Sequence, residues 1–190
     1  MWMLWSLGRL SMMTLEEIKN LAREVGFESV VSLDPSTIQP KQEVRDMCTG
    51  NSCGKYAKRW SCPPGCGDLG ECTEQLRNHS EGILVQTIGK IEDSFDIEGM
   101  QEAENRHKER VMKMYVTLRK SEPKVLALGS GCCIRCEICT YPIAPCRFPE
   151  EMITSMEAYG ILVTEICKAN QLQYYYGPEQ IAYTSCLLFG

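Results

Sequence analysis

Four cysteines in the second half of the chain have the spacing of iron–sulfur ligands: Cys133-x2-Cys136-x2-Cys139-x6-Cys146. Steps of three residues wind the backbone around one point, and four converging thiolates are what a cubane cluster requires. The first three match the ferredoxin pattern C-x2-C-x2-C-x3-C-P, whereas the fourth comes later and its proline follows three residues after it. We predict that these four cysteines bind a cluster. Cys132 is the competing candidate for the place of Cys133, which alone preserves the step of three.

A second cysteine region lies upstream and contains five thiols: Cys48, Cys53, Cys62, Cys66 and Cys72. We predict that Cys48, Cys53 and Cys62 bind metal together. Cys66 is the expected fourth ligand, because the stiff Pro63-Pro64 pair holds it close to Cys62, and Cys72 is the next candidate. If the fourth position is open instead, a metal at this site could bind a substrate directly.

Twelve cysteines in 190 residues indicate either a disulfide framework or metal sites. Secreted disulfide domains tend to be smaller and need an export signal. The apolar N-terminus carries one arginine, Arg9, and has no cleavage-site pattern. Repeated Cys-x2-Cys steps are also poor spacing for disulfides. The cysteines therefore predict metal binding.

Charge and hydropathy exclude two classes of partner. A net charge of −5 and an isoelectric point near 5.2 argue against a protein that holds a nucleic-acid backbone. The sequence has no apolar run of about 18 residues, so we expect no membrane-spanning helix. We predict a cytoplasmic protein that binds neither nucleic acid nor membrane.

The elements that must position these loops alternate between helix and strand. Thr14 and Glu17 form a capping box that opens a helix, which is expected to end at Gly26. A strand is predicted over residues 27–33. The apolar content of 44% permits a packed core. We predict one α+β domain over residues 14–190, with a small mixed sheet and packed helices, stapled by two cysteine-rich metal-binding loops. Residues 1–13 are expected to be a disordered appendage.

A strand over residues 83–88, a helix over 97–120 and a strand over 125–128 form a strand–helix–strand unit. Such a unit is expected to bring its strands to neighbouring positions, with both cysteine loops on one face and close enough to exchange electrons. His107 lies on the apolar stripe of the helix and is expected to be packed. The remaining predictions are a helix from about Glu150 to Gly160, a helical segment over 161–170, and a hairpin with arms at 174–176 and 181–189.

Two segments of the chain resemble an uncharacterised prokaryotic family of small predicted metal-binding proteins. One is Trp60-Ser61-Cys62-Pro63-Pro64. The other joins the C-x2-C-x2-C run to Pro145-Cys146-Arg147-Phe148-Pro149 and to the Ser-Met-Glu-Ala-x-Gly-Ile segment at residues 155–161. The match extends from about Val44 to the C-terminus. The resemblance implies metal binding in anaerobe-type prokaryotes.

Three functions fit these patterns. The first is an iron–sulfur protein with one or two 4Fe–4S clusters, which transfers electrons to or from a redox partner protein or acts as its accessory. The second is a cluster-dependent redox enzyme, for which three well-patterned thiols at residues 48–62 could leave one iron open. The third is a structural zinc protein, since zinc also takes four thiolates. Zinc sites usually pair two Cys-x2-Cys knuckles, whereas here three thiols share one knuckle, so we favour the cluster.

Overall fold

A five-stranded mixed sheet lies at the centre of the computed structural model, which describes residues 13–190. Its strands are β1 (Ser29–Leu33), β2 (Glu81–Lys90), β3 (Leu126–Gly129), β4 (Thr154–Ser155) and β5 (Gln180–Phe189). The order across the sheet is β1-β2-β5-β3-β4, and only the β3–β4 pair is parallel. The predicted disorder of residues 1–13 falls almost entirely outside the described residues.

Five α-helices surround the sheet: α1 (Leu15–Val25), α2 (Gln42–Asp46), α3 (Leu69–Arg77), α4 (Ile97–Leu118) and α5 (Val163–Ala169). Short 3-10 helices span Pro35–Thr37, Met47–Gly50, Pro149–Glu151 and Glu157–Tyr159. The predicted capping box is present, since Glu17 N–H donates to Thr14 Oγ1 at 3.3 Å and Thr14 N–H donates to the Glu17 carboxylate at 2.8 Å. Gly26 ends α1 at a φ of 110°, which favours glycine. Within residues 13–190 no helix has the length and apolarity needed to cross a membrane.

Alternation along β2 divides the core between the two faces of the sheet. Ile83 and Val85 pack with α1 and α4 on one face, whereas Leu84 packs with α3 and α5 on the other. His107 is fully buried on the α4 stripe, as predicted. Helices on both faces of a mixed sheet confirm the α+β prediction.

The predicted neighbouring placement of the two strands flanking α4 is wrong. β5 lies between β2 and β3 and pairs antiparallel with both. Phe189 of β5 is opposite Glu81 of β2, and Leu188 of β5 is opposite Leu126 of β3. The crossover through α4 therefore skips one position. The C-terminal strand fills that position because it is almost continuously apolar and is buried on both faces.

Two local predictions also need correction. Residues 174–176 are not a strand, because both neighbours of β5 in the sheet are already occupied by β2 and β3. The segment from Glu150 to Gly160 is not one helix. It contains two 3-10 helices, and between them β4 is extended and pairs with Leu128 and Gly129 of β3. The helical segment predicted over 161–170 is present as α5.

Candidate metal centre

Two loops carry the predicted ligands. The upstream loop spans residues 47–68, between α2 and α3, and the downstream loop spans residues 129–149, which follow β3. All twelve cysteines are free thiols. The alternative of a disulfide framework therefore has no counterpart in the structure.

Arg59 of the upstream loop joins the two loops. Its Nη1 donates to Cys133 O at 3.1 Å and to Cys136 O at 3.2 Å, and its Nη2 donates to Glu137 O at 3.3 Å. One guanidinium thus supplies hydrogen-bond donors to three backbone carbonyls of an irregular segment, which belongs to no helix or sheet that could supply them. The carbonyls of the Cys-x2-Cys turn consequently point toward Arg59.

Two neighbours of Arg59 extend this contact. Trp60 Nε1 donates to Ala144 O at 3.0 Å, and its ring meets Tyr141 edge-on at 4.9 Å and 87°. Ser61 Oγ accepts from Cys133 N–H at 3.0 Å. The two loops are therefore one connected unit, although 74 residues separate Arg59 from Cys133 along the chain.

Within this unit Cys62 and Cys132 come from different loops, and the side chain of each shifts the pKa of the other. The side chain of Cys132, with burial, raises the pKa of the Cys62 thiol. The side chain of Cys62 lowers the pKa of Cys132, and the positive charges of Arg59, Lys108 and Lys55 lower it further. Cys132 is therefore the more readily deprotonated thiol of the two. From the sequence, Cys132 was considered only as an alternative to Cys133 in the downstream site. Its proximity to Cys62 could not be predicted, because the two residues are far apart in the chain.

Cys133 is held by the backbone of its own region. Its Sγ accepts from Arg135 N–H at 3.4 Å, and burial raises the pKa of its thiol. Amide donors of this kind tune a thiolate that binds a cluster. Gly131, at a φ of 70°, turns the chain here, and a Cβ would lie 3.0 Å from Glu104 Oε1.

The remaining predicted ligands of the downstream loop lie along the turn near the surface. Cys136, Cys139 and Cys146 are partly exposed. Side chains of the loop itself fix their backbone, since Arg147 Nη1 donates to Ile138 O at 2.9 Å and Thr140 Oγ1 donates to Pro145 O at 2.8 Å. The loop is thus ordered by bonds to carbonyls that leave its thiols available.

The predicted upstream ligands divide into two groups. Cys48 is half-buried and Cys53 is exposed. Cys66, the predicted fourth ligand, bonds Cys62 O through its N–H at 3.2 Å, but its sulfur lies against Arg45. The side chain of Cys62 instead acts on that of Cys132 in the downstream loop.

The donor set tells which groups the loops could hold. In residues 13–190, no three His, Cys, Asp or Glu side chains converge tightly enough to enclose a single ion. Soft thiolate ligands fit an iron–sulfur cluster chemically and fit zinc as well.

A cavity of about 570 Å³ adjoins the downstream loop, between α4 and residues 129–135. Cys132 and Cys133 line one wall, and His107 lines the other. His107 Nδ1 bonds Thr87 Oγ1 at 3.0 Å and Nε2 bonds Ser185 Oγ at 2.7 Å. Burial lowers its pKa to about 3, with smaller effects from Arg110 and Lys108. The cavity was not predicted, because its walls come from distant parts of the chain.

The fold and the paired loops define a cysteine-rich α+β protein of the metal-binding class. The family model described as Predicted metal-binding protein (DUF2284) matches residues 31–189, and the chain belongs to this family. This finding confirms the resemblance noted in the sequence. No curated protein and no solved structure matches the chain.

Proposed function

We propose that the protein binds iron–sulfur clusters in the joined loops and transfers electrons between them and a redox partner protein in the cytoplasm. One cluster is held by Cys133, Cys136, Cys139 and Cys146. The second is held by Cys48, Cys53 and Cys62, with Cys132 as the fourth ligand. The observation that carries the proposal is the Arg59 contact, because it ties the upstream loop to the Cys-x2-Cys turn.

The surface of the downstream loop supports a partner protein. Ile134, Ile138 and Ile143 lie between the predicted ligands and are 55%, 77% and 94% exposed. Large apolar side chains grouped on one exposed loop are typical of interaction sites. A partner that covers them would lie directly over the downstream cluster.

The cavity beside Cys132 favours a second candidate, a cluster-dependent redox enzyme. An iron with three protein ligands keeps a position for substrate, as catalytic metal sites do. The cavity would then admit that substrate between α4 and the loop. In this version Cys132 lines the cavity and does not bind iron.

Metal analysis after anaerobic purification tests the proposal. We expect iron and acid-labile sulfide in equal amounts, in multiples of about four per chain, and a paramagnetic resonance signal after reduction. Stoichiometric zinc without sulfide would contradict it and support the structural zinc alternative.

Two variants test the fourth upstream ligand. Cys132→Ser should change the signal of one cluster or remove about four irons, whereas Cys66→Ser should leave iron and signal unchanged. The reverse result would restore Cys66 as the ligand. If neither variant has an effect, 2-mercaptoethanol added to the reduced wild type should change its signal, since an open iron binds a free thiol. That outcome would favour the enzyme.

A further inference from the structure

A buried arginine contacts two cysteines outside the proposed clusters. Arg45 is 7% exposed, and its Nη1 donates to Cys72 Sγ at 3.4 Å and to Ala158 O at 2.9 Å. Its Nη2 donates to Cys66 Sγ at 3.9 Å and to Gly67 O. The guanidinium is therefore shared between two sulfurs and two carbonyls.

The two cysteines also contact each other. Cys72 Sγ donates to Cys66 O at 3.6 Å, and both sulfurs lie against the same guanidinium. In residues 13–190, Arg45 forms no ion pair with a carboxylate. A buried cation is costly without a negative partner, and a thiolate on either sulfur supplies one.

We propose that Cys66 and Cys72 are a redox-active dithiol, which closes to a disulfide by exchange with a low-molecular-weight disulfide such as oxidised glutathione. Cys66 is partly exposed, whereas Cys72 is fully buried. The Cys66 thiolate attacks one sulfur of glutathione disulfide, which forms a mixed disulfide and releases one glutathione thiolate. The Cys72 thiolate then attacks Cys66 Sγ and releases the second. Two protein thiols are oxidised, one glutathione disulfide is reduced to two glutathiones, and both protons pass to solvent or glutathione.

The position of this pair gives the exchange a consequence. Cys66 lies four residues after Cys62, and Cys72 lies in α3, so a disulfide would fix the end of the upstream loop to that helix. Oxidation would also remove the thiolate charge that faces Arg45. The oxidation state of this dithiol would therefore follow the ratio of thiol to disulfide in its surroundings and change the structure next to the metal-binding loops. This proposal does not depend on which metal the loops bind.

Residue-resolved thiol labelling tests the proposal on the full metal-loaded protein under anaerobic conditions. The protein is equilibrated with glutathione mixtures from fully reduced to fully oxidised. Free thiols are blocked with iodoacetamide, and the remaining cysteines are reduced and labelled with N-ethylmaleimide. In a parallel sample that is blocked but not reduced, cleavage after Glu71 separates Cys66 from Cys72, so a linked pair of fragments identifies their disulfide by mass spectrometry. We expect these two residues to change label together at one glutathione ratio.

Variants separate this pair from the alternatives. Cys72→Ser should stop the exchange at a glutathione adduct on Cys66, and Cys167→Ala, which alters another buried cysteine, should leave the titration unchanged. Iron content should be unchanged in Cys66→Ser and Cys72→Ser. Loss of iron from Cys66→Ser, a disulfide from Cys72 to Cys62, or thiols that stay reduced in excess oxidised glutathione would each overturn the proposal.

Discussion

The sheet and the cysteine loops are stabilised by different means. The sheet buries apolar side chains on both faces, and the fully buried His107 of α4 bonds two hydroxyls of the sheet, those of Thr87 and Ser185. The loops have little apolar interior, and arginine, tryptophan and serine side chains satisfy their backbone. The sheet is therefore expected to fold without metal, whereas the loops need their metal to hold the thiols in place.

The largest expected effect separates the two regions directly. Cys136→Ser should remove about four irons per chain and loosen the downstream loop, while the sheet keeps its stability. Iron analysis and hydrogen exchange of loop and strand amides measure the two effects. Cys167→Ala, which lies in the core, serves as the control. Full iron content in Cys136→Ser would contradict the assignment.

His107 tests the sheet rather than the loops. The unfolded chain takes up a proton on this residue below about pH 6.5, whereas the folded pKa is about 3. The unfolded state therefore binds more protons in this range, and stability falls as the pH falls, by about 1.4 kcal/mol per pH unit. This contribution is complete above about pH 6.5.

A matched variant removes this histidine. Between pH 6.5 and 4.5 the wild type should lose about 2 kcal/mol more unfolding free energy than His107→Gln does. Urea unfolding at each pH gives the free energies. Equal slopes in His107→Gln and wild type would show that the folded state protonates this histidine.

Arg59 tests the junction between the loops. Arg59→Met removes the three bonds to downstream carbonyls while it keeps much of the aliphatic stem. We expect a loss of about 2 kcal/mol, since each bond to a charged donor is worth somewhat more than 1 kcal/mol and this side chain is partly exposed. Faster release of iron to a chelator should accompany it. Arg23→Met, on exposed α1, should change neither quantity by more than about 0.5 kcal/mol or twofold.

Features that depend on residues close together in the sequence were predictable, whereas contacts between distant residues were not. The start of α1 was predictable, because Thr14 and Glu17 form its cap within one turn. The grouping of cysteines in one turn was also predictable, because these residues are close in sequence. Three features depend on residues far apart in the chain: the insertion of β5 between β2 and β3, the proximity of Cys62 to Cys132, and the contact of Cys66 with Arg45. Spacing within one segment carries no information on such contacts.

The smallest expected effect is the energetic coupling between the two loops through their aromatic contact. Trp60 and Tyr141 meet edge-on across the junction, and such pairs contribute about 1 kcal/mol beyond the area they bury. In a double-mutant cycle, Trp60→Leu and Tyr141→Leu should therefore be non-additive by about 1 kcal/mol in unfolding free energy. Tyr115 belongs to α4 and packs against the sheet core, so a cycle of Trp60→Leu with Tyr115→Leu should be additive. Additivity in the first cycle would mean that the aromatic contact does not couple the loops. The Arg59 bonds would then be the remaining link through which a change at one metal site reaches the other.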